Sequence, residues 1–427
     1  MRNHLYLSIT LLAVLGWHAG AQAQVDTRQA PKLVVSITID QLRSDYLETF
    51  ANHYGTDGFK RLLAEGAVFE NASYPFTDPD RASATATVVT GTTPFYHSIT
   101  GLQWLDRHSL RPVNCTDDQL AVTTIGDELK IATDGAAKEF AFAPCKDMAF
   151  LAASHASDGT EWLTPNKKSK TPINQDITTK ALACVKGQKL GADDTPDLLF
   201  LSYDAGTSAE TYTQLDQTIG SLISTLEEQI GREQLLVVLT STGSYPSERI
   251  DYERYHIPTG QFDIKRTANL LNMYLGALWG QGQYIEASYK NQLFFNHQLL
   301  ESKRISMTDI TQRSQEFLCQ LAGVKRVFSG LQLINNNSDP KVRNSYHPQR
   351  CGDLLIEVAP GWRIQHEDTG YVKLSQLSTP SFPIIFYGAG IKATRVQTPV
   401  TTDRIAPTIS KAIRIRAPNA CTSEPLF

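Results

Sequence analysis

The stretch Leu33-Val-Val-Ser-Ile-Thr-Ile-Asp40-Gln-Leu-Arg-Ser-Asp-Tyr46 constrains this chain more than any other. An apolar run so rich in β-branched residues predicts a strand buried on both faces, the signature of a parallel sheet covered by helices. The run ends in a carboxylate. Ligands of open α/β sheets gather beyond the carboxyl ends of the strands, so Asp40 stands where a metal or substrate would sit. The competing reading is an ordinary strand-to-helix turn with Asp40 as a cap. The two separate on whether other strand ends supply Asp40 with partners.

Further apolar runs extend the pattern. Leu198-Leu-Phe-Leu-Ser-Tyr203 leads into a long helix from Ala209 to Gly231, patterned by Leu215, Ile219, Leu222, Ile223 and Leu226. Leu235-Leu-Val-Val-Leu-Thr240 and Pro383-Ile-Ile-Phe-Tyr-Gly388 are the next strands, the last before a helix at Ile405–Ile413. Strand and helix at these intervals predict crossovers and a parallel-rich α/β sheet flanked by helices. Gly58–Gly66 reads as a short amphipathic helix closed by glycine. Pro79 suits the first position of an Ala/Thr-rich helix, with Thr77 or Asp78 as its N-cap. The region 167–194 is polar and lysine-rich, which predicts surface loop with a short helix. Between about 252 and 377 the texture changes to an α+β insertion, with helices at Thr267–Leu275 and Ile310–Leu321 and a strand at Asp353–Val358.

With 427 residues, 20% of them charged, and a net charge of −4, the chain lacks the basic excess of a nucleic-acid binder. Arg2, an apolar run from Leu5 to Trp17 and Ala21-Gln22-Ala23 predict a signal peptide over 1–23, cleaved after Ala23. A periplasmic or secreted domain at 24–427 is therefore expected, and no segment approaches the roughly 20 apolar residues of a membrane span. All six cysteines (Cys115, Cys145, Cys184, Cys319, Cys351 and Cys421) follow the cut. In an oxidising compartment this predicts two or three disulfides, and no C-x-x-C pair points to zinc or redox chemistry.

Short motifs then fall in a telling order: Ile39-Asp-Gln-Leu-Arg-Ser-Asp-Tyr46, Gly58-Phe-Lys-Arg-Leu-Leu63, Val89-Thr-Gly-Thr-Thr-Pro94, Thr124-Ile-Gly-Asp-Glu-Leu129, Pro258-Thr-Gly-Gln-Phe262, Gly352-Asp-Leu-Leu-Ile356, Phe386-Tyr-Gly-Ala-Gly-Ile391, Thr402-Asp-Arg-Ile-Ala-Pro-Thr408 and Pro418-Asn-Ala-Cys-Thr422. Through them the chain resembles the alkaline phosphatase superfamily, specifically the phosphate-irrepressible bacterial alkaline phosphatases and the nucleotide pyrophosphatase/phosphodiesterases. The resemblance implies an alkaline-phosphatase-like fold. In active members it also implies two zinc ions held by Asp and His at several strand ends, with a Thr or Ser nucleophile, a set suited to in-line phosphoryl displacement.

Residue by residue, the implied site is incomplete. Asp40 matches the first metal ligand. The nucleophile motif, T-x-x-G-H before a helix ending in T-G, aligns in two ways. Counting back from Thr90-Gly91 without a gap, the preferred alignment, puts Arg81 at the nucleophile. Matching forward makes Thr77 the nucleophile at the expense of about one extra helical turn. Of the D-x-x-x-H loop, Asp204 is a doubtful match and Ser208 stands for His. Ser241-Thr-Gly-Ser244 replaces the next Asp-His pair, and Phe382 the last His. Leu102 stands for a substrate-contacting Asn. Of a phosphate-holding K-x-R pair, Lys146 is kept and Met148 stands for Arg. Eight histidines follow the cut (His53, His97, His108, His155, His256, His297, His347 and His366), none spaced as a metal pair or placed after a predicted strand.

Zinc is therefore not expected. Arg81 is expected to face Asp40, and Asp204 with it, as a structural ion pair. Asp78 and Asp80 beside Asp40 offer the alternative of an all-oxygen calcium or magnesium site. Three functions follow: an inactive pseudophosphatase kept for binding or assembly with a protein or anionic ligand, an active phosphomonoester or phosphodiester hydrolase using Thr77, or a metal-free anion- or glycan-binding protein. The first is preferred.

Overall fold

The computed structural model describes residues 30–164, 172–246, 252–335, 338–366, 370–376 and 378–427. The expected signal peptide lies outside the described residues. Nine strands make the central sheet: β1 (Leu33–Asp40), β2 (Ala67–Ser73), β3 (Glu139–Ala143), β4 (Gly159–Trp162), β5 (Asp197–Asp204), β6 (Leu235–Ser241), β7 (Phe382–Gly388), β8 (Thr394–Val396) and β9 (Val400–Thr401). Their spatial order is β8-β2-β7-β6-β1-β5-β3-β4, with β9 also paired to β2.

β1 sits between β5 and β6, parallel to both, and its register places Asp40 opposite Asp204 and Ile39 opposite Ser241. Side chains alternate between the faces. Leu33, Val35, Ile37 and Ile39 join the core beneath the helices Phe59–Glu65, Ile173–Gln188 and Ala209–Ile230. Val34 joins the opposite core, with Ala84, Val88, Ile125 and Ile405 from the helices Arg81–Thr90, Ile125–Ala132 and Ile405–Ala412. Asp40 shares the parity of Val34, so β1 delivers its carboxylate to the side on which the Arg81–Thr90 helix lies.

The sheet is parallel-rich as expected, with one addition: β7 runs antiparallel to both β6 and β2, so the sheet is mixed and mostly parallel. Apolar periodicity carries no strand direction, and β7 is entered from the insertion rather than through a βα crossover. One expectation needs correction: in the polar stretch before β5, expected as surface loop with a short helix, the helix is long, 16 residues over Ile173–Gln188. Its Ile177, Ala181 and Val185, one stripe at helical spacing, are buried against the sheet. Residues 165–171 lie outside the described residues.

The 252–377 region forms its own layer. Ile285–Tyr289, Gln292–Phe295, Val324–Ser329 and Leu354–Val358 make a four-stranded antiparallel sheet, and the helices Ile264–Trp279 and Met307–Leu318 pack on it through Leu271, Leu275, Ile310 and Leu318.

The expected disulfides are absent among the described residues, where all six sulfurs are free. The thiols are dispersed through the fold. Cys115 packs beside Trp104, Cys351 sits in a separate cluster with Tyr346, Cys184 lies against the sheet core, and Cys319 is exposed.

Glu139 opens β3 inside the protein, where its carboxylate accepts from the Ser154 amide at 2.8 Å and the Ser154 hydroxyl at 2.5 Å. Burial outweighs these bonds and raises its pKa from 4.5 to about 7. A raised folded-state pKa makes a contribution to stability that is full below the unfolded value and fades as pH rises through the folded one. Unfolding midpoints of the native chain are therefore expected to carry a downward component between pH 5 and 8, and Glu139→Gln is expected to flatten it. An unchanged slope in the variant would contradict this assignment.

Candidate active site at the strand ends

The carboxyl ends of β1, β5 and β6 meet at one edge. Asp40 is half-buried there, and the Thr242 hydroxyl, just past β6, donates to its Oδ1 at 2.5 Å. Burial raises the Asp40 pKa; the Thr242 bond opposes this, the Asp204 charge adds to it, and the Arg81 charge opposes it. Asp204 sits opposite. Its Oδ1 accepts from Gln41 Nε2 at 3.0 Å and the Gly206 amide at 2.8 Å. Asn174 clamps the Asp204 backbone, accepting its N–H at 3.1 Å and donating to its carbonyl at 2.7 Å.

Arg81 is the first residue of the Arg81–Thr90 helix. The helix begins there because Asp80 is its N-cap, accepting from the Ser83 amide in a capping box with the Ser83 hydroxyl. Thr77 and Asp78 are not the cap; Asp78 has a left-handed φ of 54° that sets it outside the helix. Ala82 to Thr90 are all buried. Small side chains allow this, and the threonine hydroxyls are satisfied, Thr85 by the Arg81 carbonyl at 2.7 Å, Thr90 by the Ala86 carbonyl at 2.6 Å and Thr87 by His97 Nε2 at 3.0 Å.

The guanidinium does not pair with Asp40. It forms a fork with Asp147, Nε to Oδ2 at 2.7 Å and Nη2 to Oδ1 at 3.3 Å. Burial works against the Arg81 charge and the Asp147 bond more than offsets it, so Arg81 stays cationic. Asp147 is reached because the Lys146–Ala152 helix packs along the Arg81–Thr90 helix through Leu151 and Ala152, whose neighbours include Ala82 and Ala84.

The other candidate residues are spread out. Thr77 Oγ1 lies 2.7 Å from Ser345 Oγ of the insertion, and the Thr77 amide donates to the same hydroxyl at 2.8 Å. Asp78 pairs with Lys373. Asp80 Oδ2 accepts from the Leu102 amide at 2.7 Å. The oxygens offered for calcium or magnesium are thus committed to a lysine and to backbone amides rather than turned to Asp40. Lys146 is exposed, with its ammonium 5.3 Å from the Phe150 ring centre and 5.8 Å from that of Trp162. Met148 is buried.

The structure therefore brings Asp40 and Asp204 together in register, while Thr77 bonds Ser345 and Lys146 lies exposed beside Phe150 and Trp162. Thr242, Asn174 and Asp147 were not anticipated as partners. Thr242 had a signal, since it follows a parallel strand end beside Asp40; Asp147 had none, being paired across 66 residues of sequence.

Comparison with known proteins places the chain in a family. The profile of type I phosphodiesterase / nucleotide pyrophosphatase matches residues 34–379, most of the chain and all of β1 beyond its first residue. The chain belongs to that family. It is 22% identical to alkaline phosphatase PafA of Elizabethkingia meningoseptica, over 93% of this chain and 94% of that one. It is 23% identical to alkaline phosphatase PhoV of Synechococcus elongatus, over 91% of each. A crystal structure of wild-type PafA superposes with a TM-score of 0.79 at 21% identity, covering 94% of this chain and 99% of the other. The family's fold is therefore that of the alkaline phosphatase superfamily here, as the motifs implied. The PafA alignment runs over 515 residues, longer than the 427 of this chain, so the relative carries segments that this chain lacks.

Proposed function

We propose that this chain is an extracytoplasmic member of the family that keeps the scaffold for binding or assembly and does not hydrolyse phosphate esters. The observation that carries this reading is the Arg81–Asp147 ion pair. In the ungapped alignment a guanidinium takes the place of the nucleophilic hydroxyl, and a guanidinium that stays cationic cannot attack phosphorus. The donor set supports the same reading. Zinc takes about four N, S or O donors at fixed geometry. Asp40 and Asp204 accept hydrogen bonds from Thr242, Gln41 and Gly206. Among the described residues no three His, Cys, Asp or Glu side chains group in a way that could hold a metal ion. The residues present do not fit a two-zinc centre.

Turnover of p-nitrophenyl phosphate and bis(p-nitrophenyl) phosphate decides the matter. With zinc, magnesium or calcium supplied, the full chain is expected to match the buffer background. Metal-dependent turnover that disappears in Thr77→Ala would overturn the reading in favour of a hydrolase.

A second reading is favoured by one feature. A cleft of about 460 Å³ beside the ion pair is lined by Arg81, Lys290, Asp80 and Asp147, and Lys290 Nζ spends one bond on the Gln103 carbonyl at 3.0 Å. Two cations with donors to spare suit a metal-free anion site. Phosphate binding without turnover, lost in Arg81→Ala, would support it.

A further inference from the structure

A cleft of about 370 Å³ opens between the strand ends and the insertion, a volume within the roughly 300–1,000 Å³ of small-molecule sites. Four segments wall it: the loop 77–80, the turn 243–245 after β6, the hairpin turn 289–292 and the strand Tyr371–Leu374. Two non-glycine residues on these walls, Asp78 and Lys290, hold a left-handed backbone, each with φ of 54°. Lys290 does so at the head of a two-residue hairpin turn, where glycine is the usual choice. Such backbone is disfavoured for a residue with a Cβ and gathers where side chains must be aimed at a ligand.

The charges on the walls balance, Asp78 and Asp80 against Lys290 and Lys373. Asp78 pairs with Lys373. Asp80 accepts from the Ser83 amide at 3.0 Å and the Leu102 amide at 2.7 Å. Lys290 Nζ gives one bond to the Gln103 carbonyl at 3.0 Å and keeps donors for a ligand. Acceptors are also to spare. Asn291 commits its Nδ2 to the Ile356 carbonyl at 3.0 Å, and its Oδ1 has no hydrogen-bond partner among the described residues. The Thr100 and Ser244 hydroxyls have none there either. The tyrosine hydroxyls are tied to protein, Tyr245 to the Leu42 carbonyl at 2.9 Å and Tyr289 to Gln103 Oε1 at 3.5 Å, which leaves their rings as apolar wall. Donors, acceptors and flat apolar rings without net charge match one ligand chemistry well. A pyranose carries hydroxyls around its rim that both give and take hydrogen bonds, and C–H groups on its faces.

We propose that this cleft binds a neutral oligosaccharide, whose hydroxyls meet Lys290, Asn291 and Ser244 and whose C–H face lies on Tyr245 and Tyr289. The inference rests on the reading of the chain as a binding protein that does not hydrolyse phosphate esters, and it names the ligand class. Asp80, Gln103 and Lys290 line the smaller cleft beside Arg81 as well, so the sugar site and the Arg81 cleft adjoin.

Saturation-transfer NMR and calorimetry of the full chain with maltotriose, cellotriose, chitotriose and mannotriose test this. At least one of these sugars is expected to bind. Lys290→Met removes donors and Ser244→Phe fills the cleft; each is expected to weaken that sugar about tenfold and to keep the circular dichroism spectrum of the native chain. Glu286→Gln, in a separate cleft, is expected to bind the sugar as the native chain does. Binding of none of these sugars, or binding indifferent to both cleft variants, would overturn the proposal. The non-hydrolytic reading fails on a different readout, metal-dependent ester turnover, so the two failures are distinguishable.

Discussion

Ile37→Ala is expected to cost about 4 kcal/mol of folding stability, read from urea denaturation, against about 1 kcal/mol for Ile37→Val. Ile37 is fully buried at the middle of β1, opposite Leu201 on one side and Leu239 on the other. Removing its outer carbons forfeits the transfer energy of a buried side chain and leaves a cavity that three rigidly paired strands cannot close. Ile37→Val keeps the β-branch and loses a single methyl, which separates the volume effect from strand propensity. Equal, small effects of both substitutions would show that β1 is not the strand on which the fold and its ligand edge depend.

Thr242→Val is expected to cost about 2 kcal/mol, because a hydrogen bond to a charged group is lost and the half-buried Asp40 carboxylate keeps its desolvation penalty. Valine matches threonine in shape, so packing around Thr242, which is fully buried, is preserved and the hydroxyl alone is tested. The same substitution leaves Asp204 with its own donors, Gln41 and Gly206. Its effect on Asp204 is therefore expected to be small, and the pairing Thr242→Val/Asp40→Asn is expected to recover part of the loss, since a neutral amide is cheaper to leave without the Thr242 donor. A loss below about 0.5 kcal/mol in Thr242→Val would place another donor on Asp40.

The strands that were legible are those whose burial on both faces leaves an unbroken apolar run, as in β1, β5 and β6. β3 and β4 were hidden for a physical reason. β3 spends one of its five positions on the buried Glu139, and β4, Gly-Thr-Glu-Trp, lies at the sheet edge where polar side chains meet solvent. The helix Ile173–Gln188 was hidden because its apolar stripe is narrow and surrounded by Asp, Thr and Lys. At the site, Asp40 and Asp204 were readable because each closes an apolar run at the ligand edge. The partner of Arg81 was not, because the Arg81–Asp147 contact is made by two helices meeting in space, which no local pattern encodes. The helix was expected to open at Pro79 behind Thr77 or Asp78 and opens instead at Arg81 behind Asp80, and Arg81 was expected to pair with Asp40 and pairs instead with Asp147.

Asp40 and Asp204 stand in register at the ligand edge, each engaged by hydroxyl, amide or backbone donors. The most direct test is the zinc content of the purified full chain, equilibrated with excess zinc, freed of loosely held ions with a weak chelator, and measured by inductively coupled plasma mass spectrometry. The account predicts substoichiometric zinc that is the same in the native chain and in Asp40→Ala. Two zinc ions per chain, lost together in Asp40→Ala, would contradict it.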